Sequence, residues 1–200
     1  MTEKDSLAYA LGLNVGSNLQ QQFADISIDY FTKGISDLFR NADNMPIKNN
    51  EDAMTFLNNY FAKQQELASS ANKEAGEKFL AENAKRTGVS TTPSGLQYEI
   101  ITEGAGEKPA ATDKVKVHYR GTLIDGTEFD SSYARNEPIV FGLSQVISGW
   151  TEALQLMPVG SKWRIYLPYN LAYGEQGHTG GSIGPFSTLI FDVELLGIEK

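Results

Sequence analysis

The sequence predicts an α+β chain: an all-α N-terminal dimerisation domain with a long helical stalk, then an antiparallel β-sheet wrapped on one short helix. Three observations predict it. Glycine and proline are unevenly spread, with 14 of the 19 Gly and 6 of the 7 Pro in residues 91–200, together with both Trp and both His. Residues 1–90 are rich in Ala, Asn, Gln, Lys and Glu and space their apolar residues as helices do, whereas strand-like runs begin only after residue 95. Finally, 200 residues with 40% hydrophobic side chains allow two small domains and at least one real core. The expected division is 1–65 for the helical dimerisation domain, 66–90 for stalk and linker, and 91–200 for the sheet domain.

The first helix is expected over 5–22, where Leu7, Leu11, Val15 and Leu19 recur every four residues. Ala8, Gly12 and Gly16 form a second row beside them. Glycine inside a helix costs about 1 kcal/mol against alanine, so the row signals either close approach of another helix or two tolerated glycines. "DISIDYFTKGISDLF" supplies a second helix, with Ser27 or Asp29 as N-cap and Phe31, Ile35 and Leu38 facing inward. Pro46 breaks the chain. From Asn50, taken as the next N-cap, a helical reading runs unbroken to Gly88.

That third helix changes character along its length. Met54, Leu57, Tyr60, Phe61 and Leu67 make an apolar face, but "ASSANKEAGEK" at 68–78 has no large apolar side chain. The latter reads as a solvated stalk held by pairs such as Glu74–Lys78 and Glu82–Arg86. Phe79 and Leu80 then return as a patch for whatever follows. Two short helices and half a long one make a poor core alone, so a second copy of the chain is the expected partner, docked through residues 1–65.

"TGVSTTPSGL" reads as a linker, followed by strands at 96–101, 114–121, 127–130, 162–167 and 188–196. In "VKVHYRG", Val115, Val117 and Tyr119 alternate with Lys116, His118 and Arg120, the mark of a sheet with one wet face. On that pattern His118 is exposed. Asp125-Gly126 is a tight hairpin turn. One short helix near 150–156 is stopped by Pro158 and Gly160.

Several function classes drop out. Net charge is −8, divided −3 over residues 1–90 and −5 over 91–200, so no basic face invites nucleic acid. No run approaches the ~20 apolar residues of a membrane helix. The absence of cysteine excludes disulfides, thiol catalysis and Cys-ligated metals, and two isolated His form no metal cluster. "GAG" at 104–106 and "GHTGGSIGP" match no phosphate-binding fingerprint, and no Gly-x-Ser-x-Gly elbow occurs. The start "MTEKDSLAYA" lacks an apolar export core, which points to the cytoplasm, or to the periplasm if the chain is a processed form.

What stands out is an aromatic and aliphatic set beside turns: Tyr119, Phe129, Phe141, Val146, Ile147, Trp150, Tyr166, Tyr173 and Phe191. Such residues at strand spacing commonly belong to a core. Trp150, however, opens the one helix of its domain, where an indole can floor a concave site. Asp130, beside Phe129, is either a solvated strand-end residue or a carboxylate facing that site.

"VHYRGTLIDGTEFDSS", "VISGWTEALQLMPVGSKW", "LAYGEQGH" and "STLIFDVELL" occur in the order and spacing of the FKBP family, which residues 92–200 resemble. These are peptidyl-prolyl isomerases that also bind rapamycin-type macrolides. "YALGLNVGSNL" and "GEKFLAENAKRTGVSTTPSGLQY" resemble the helical domain of macrophage infectivity potentiator-like bacterial FKBPs, which dimerise through it. The resemblance implies an isomerase acting on proline-containing polypeptides, with no cofactor or metal. It implies that Tyr119, Phe129, Asp130, Trp150, Tyr173 and Phe191 form the catalytic pocket, with Trp150 beneath the proline ring. Val146 and Ile147 line the pocket too, Ile139 and Phe141 complete one wall, and His178 and Ile183 sit at the lip. Asp130 shapes the pocket, tied to Tyr119 and Arg135. Because Phe129 and Asp130 should point to opposite faces of a regular strand, both can line one cleft only if the strand bulges or ends there. The alternative class is a holdase or binding module in which isomerisation is secondary. The loop "GHTGGSIGPF" is about one residue longer than in many members, Gly184 replaces a common Pro, and Ile139 stands where an aromatic is frequent. These departures bear on macrolide affinity and sequence preference more than on isomerisation.

Overall fold

The computed structural model describes residues 1–23, 25–43, 45–178 and 181–199, so Thr179 and Gly180 of the "GHTGGSIGPF" loop lie outside the described residues. The chain divides into two compact units, Met1–Asn59 and Tyr60–Lys200. Among the described residues, no helix is long and apolar enough to cross a membrane.

The first unit holds α1 (Glu3–Gln22), α2 (Ile28–Phe39) and the start of α3 (Asn50–Asn83). Each begins where a short polar side chain satisfies orphaned amides. Thr2 and Asp5 form a reciprocal capping box, with Thr2 N donating to Asp5 Oδ2 at 2.8 Å. Ser27 caps α2. Asn49 caps α3, its Oδ1 accepting from the Asp52 amide at 2.8 Å, one residue before the expected Asn50. Among the described residues neither α1 nor α2 buries a side chain. Leu7 and Leu11 are 62% and 58% exposed. Of the expected inward face of α2, Phe31 is half-buried while Ile35 and Leu38 are exposed. A Cβ built on Gly12 or Gly16 would meet nothing within 4 Å. The apolar stripes foretold by periodicity therefore exist, but a single chain does not cover them.

The second unit is a seven-stranded antiparallel sheet in the order β1-β2-β6-β7-β3-β4, with β5 also paired to β3. The strands are β1 (Val89–Thr91), β2 (Gln97–Thr102), β3 (Lys114–Leu123), β4 (Glu128–Ser131), β5 (Ile139–Gly142), β6 (Lys162–Leu167) and β7 (Leu189–Glu199). Alternation sends Val115, Val117 and Tyr119 of β3 and Leu189, Phe191, Val193 and Leu195 of β7 into one core. Trp150, Ala153 and Leu154 of α4 (Ser148–Leu156) pack against them. Residues 89–91, expected to be linker, form edge strand β1, because Thr91 pairs with Gln97 and the Thr92 amide reaches Leu96 O at 2.9 Å. Strand β5 was also unforeseen.

Most of the stretch expected to be a solvated stalk, 68–78, is exposed, but its Gly76 side is held against this unit, and the Phe79–Leu80 patch packs there as expected. Gly76 and Asn83 are buried. Asn83 Nδ2 donates to Gln97 Oε1 at 2.9 Å, and Gln97 Nε2 donates to Leu80 O at 2.9 Å. The Phe79 ring lies 5.9 Å from that of Tyr166. Glu82 pairs with Lys85 at 2.8 Å rather than with Arg86, which reaches Glu99 at 3.1 Å and the Tyr166 hydroxyl at 3.0 Å.

Candidate active site

Between β3, β4, α4 and the segments flanking residues 146 and 178 lies a cavity of about 460 Å³. Its floor is the Trp150 ring, held edge-on by three other aromatics. Tyr119 and Phe191 each stand 5.2 Å from it at 88° and 87°, and Phe141 stands 5.3 Å away at 62°. These are the offset and perpendicular geometries that ring quadrupoles favour. Trp150 is 4% exposed, and its Nε1 meets no hydrogen-bond acceptor among the described residues. Position follows from sequence: Trp150 enters at the first turn of α4, just after Val146 and Ile147, which also line the cavity.

Phe129 and Asp130 both face this space. Gly121 pairs with Asp130 while the next residue, Thr122, pairs with Glu128, leaving Phe129 as the extra residue of a β-bulge. Gly121 makes room for it: a Cβ there would stand 2.5 Å from the Phe129 ring and 2.9 Å from that of Phe191. The bulge required by the sequence argument is present.

Asp130 is tethered at both oxygens. Oδ2 accepts from the Tyr119 hydroxyl and Oδ1 from the Arg135 guanidinium, while a second Arg135 nitrogen donates to the Tyr119 oxygen at 3.1 Å. Desolvation alone would push the carboxyl up. The hydrogen bonds from Arg135 and Tyr119 and the positive charge of Arg135 outweigh it, and the pKa falls below the ordinary carboxylate value. The group is therefore a fixed anion at neutral pH. Burial, followed by the neighbouring Asp130 charge, pushes the Tyr173 hydroxyl up, so it remains a proton donor.

Eleven of the thirteen residues singled out from the sequence line the cavity: Tyr119, Phe129, Asp130, Phe141, Val146, Ile147, Trp150, Tyr173, His178, Ile183 and Phe191. Two do not. Arg135 reaches the site through its hydrogen bonds to Asp130 and the Tyr119 hydroxyl, its guanidinium lying 5.9 Å from the Tyr119 ring centre. Ile139, half-buried against the core cluster, is not among the residues that line the cavity; Phe141, two residues on, lines it. Sequence reasoning missed Gln145, Gly181 and Ser182. They carry no aromatic or charged signal, and only their proximity to Val146 and Ile183 could have marked them. His118 also departs from expectation. It is half-buried, with Nδ1 2.9 Å from Ser132 Oγ and its ring stacked 4.7 Å from Tyr133. That serine is fully buried and takes the Tyr119 amide at 2.8 Å, so it fastens β3 to the end of β4 and presents no nucleophile.

Among the described residues, no group of three or more His, Asp or Glu is placed to hold a metal ion. The cavity can desolvate an apolar ring, present a fixed anion at its edge and donate from a tyrosine hydroxyl.

The family described as FKBP-type peptidyl-prolyl cis-trans isomerase matches residues 105–196, and the domain amino-terminal to FKBP-type peptidyl-prolyl isomerase matches residues 4–100. The chain is 47% identical to an FKBP-type peptidyl-prolyl cis-trans isomerase FkpA of Aeromonas hydrophila, over 98% of this chain and 77% of that protein. It is 46% identical to the FKBP-type 22 kDa peptidyl-prolyl cis-trans isomerase of Escherichia coli, over 96% and 93%. Identity to the outer membrane protein MIP of Legionella longbeachae is 43%, over 100% of this chain and 87% of that one. Among solved structures, FkpA from Escherichia coli superposes with a TM-score of 0.76 at 35% identity, over 99% of this chain and 97% of that chain.

Proposed function

Because this chain belongs to the family of FKBP-type peptidyl-prolyl cis-trans isomerases, we propose that the Trp150-floored cleft is where an Xaa-Pro bond is held while it rotates. The reaction breaks no bond. Partial double-bond character sets a barrier of roughly 18–20 kcal/mol, and exchange at Xaa-Pro takes tens to hundreds of seconds. Bringing that to milliseconds requires about 10⁵-fold, or roughly 7 kcal/mol.

An apolar cleft can supply part of this. The planar amide is polar and well hydrated, whereas the twisted transition state has lost conjugation and some of that polarity. Stripping water therefore raises the ground state more than the transition state. Trp150, Tyr119, Phe141 and Phe191 exclude water around the proline ring. The Tyr173 hydroxyl donates to a carbonyl of the flanking peptide and holds it in place. Asp130, kept ionised by Arg135 and Tyr119, acts on the twisting amide as a fixed charge and moves no proton. The observation that carries this reading is the convergence of four edge-packed rings and one tethered carboxylate on a single cavity.

Exchange NMR on a short Xaa-Pro peptide tests it. The intact protein should broaden the cis and trans resonances strongly, and folded Trp150→Ala and Asp130→Leu variants should do so far less. Undiminished broadening by both variants would place the reaction elsewhere.

The chain also pairs with a second copy through residues 1–65. Support comes from the uncovered face of α1, where Leu7, Leu11 and Val15 are 43–62% exposed beside Gly12 and Gly16, whose added Cβ atoms would meet nothing within 4 Å. Each leucine moved from water into such an interface contributes about 1.5–3 kcal/mol.

A further inference from the structure

The rear of the cleft's lip is in the grip of α3. Asn72 Nδ2 donates to Pro185 O at 2.8 Å, across 113 residues of chain. The Lys73 ammonium lies 5.6 Å from the centre of the Phe186 ring. At Gly76 the helix comes so near that a Cβ would stand 2.4 Å from Thr188 Oγ1. A glycine in mid-helix costs about 1 kcal/mol against alanine, so this contact is a reason for its presence.

The other side of the same segment lines the cleft. Gly181, Ser182 and Ile183 face the cavity, and Ile183 is 7% exposed. The two sides are rigidly joined. Ser187 Oγ donates to Gly184 O at 2.8 Å, the Phe186 amide reaches Gly174 O at 3.1 Å, and the His178 amide reaches Ile183 O at 2.9 Å. Phe186 itself sits at φ 55°, a conformation costly for a bulky residue that its surroundings must hold. A shift of Pro185–Thr188 is therefore passed to Ile183.

We propose that Asn72 and Gly76 of α3 are positioning residues for the isomerase, fixing the lip that carries Ile183 and so the width of the cleft beside the bound proline. Both lie outside the 105–196 segment that matches the isomerase family. The inference rests on the cleft being the site of isomerisation.

The test uses the full chain and three variants: Asn72→Ala, Gly76→Ala, and Gly76→Ala combined with Thr188→Ala. In the double variant the offending hydroxyl is gone, and the nearest remaining atom of residue 188 is its Cβ at 3.3 Å. Amide shifts of residues 181–184 and exchange rates over a range of peptide concentrations are measured for Ala-Pro and Leu-Pro peptides, alongside Tm. Both single variants should move the Ser182 and Ile183 amides and lower kcat/KM three- to tenfold, chiefly through KM and unequally for the two peptides. The double variant should return to within twofold of the parent. Unchanged amides and kcat/KM in Asn72→Ala and Gly76→Ala would overturn the proposal. So would equal losses on both peptides that follow Tm and are not rescued. Trp150→Ala serves as the separate control: full activity there would refute the site itself, whatever the lip variants do.

Discussion

Asp130 stands between two donors, and that pairing decides its chemistry. Its depressed pKa means that its stabilising interactions are fully present above the unfolded-state value of 3.8 and are lost as pH falls through the lower folded value. Carbon-detected titration of the Asp130 carboxyl should give a midpoint below 3.8, with isomerase activity flat from neutral pH to the onset of acid unfolding. An activity midpoint near neutrality assigned to Asp130 would show proton transfer after all. Removing the partner is the complementary perturbation. Arg135→Ala removes one donor from Asp130, but the two side chains are 47% and 39% exposed, so water takes its place and Tm should fall only slightly. Thermal unfolding checks this, and the Asp130 midpoint should rise in the same variant.

At the scale of elements, the bulge in β4 and the first turn of α4 make the cleft. Phe129 is displaced from the ladder and lies over Gly121, so Gly121→Ala should push the ring aside. The expected result is a loss of isomerase kcat/KM on the order of tenfold or more, since ångström-scale misplacement carries such costs. Tm should move little by comparison; preserved kcat/KM with a crystallographically unmoved Phe129 would defeat the argument. Leu154, 1% exposed on the buried face of α4, makes the contrast. Leu154→Ala should cost about 2–5 kcal/mol as a cavity opens in the core, measured by denaturant unfolding. Its effect on the rate should appear only near the transition. β5 escaped notice because four residues after a proline offer too short a window for periodicity. β1 escaped because three residues, two of them polar, show no period.

For the whole molecule, the contrast between the units is in what they bury. The sheet unit has a continuous core, while α1 and α2 among the described residues bury nothing. A second copy covering the α1 face should appear in sedimentation as a dimer, and Leu11→Asp should shift it to monomer. A chain starting at residue 60 keeps Asn72 and Gly76 and should retain short-peptide isomerisation within twofold. One starting at residue 89 loses both and should be impaired. Equal activity of the two truncations would mean that α3 contributes nothing to the cleft.

By itself the sequence determined the local features: which face of β3 is apolar, where α4 ends, that Asp125-Gly126 turns, and that Phe129 and Asp130 could share a cleft only through a bulge. These are consequences of side-chain period and turn geometry within a few residues. Only the tertiary structure decided that Ile139 stays out of the cavity lining, that Gln145, Gly181 and Ser182 join it, and that α3 holds the lip. Such contacts join residues far apart in the chain, as Asn72 and Pro185 are. Their partners are chosen by how the sheet closes on its helix, which no local period records.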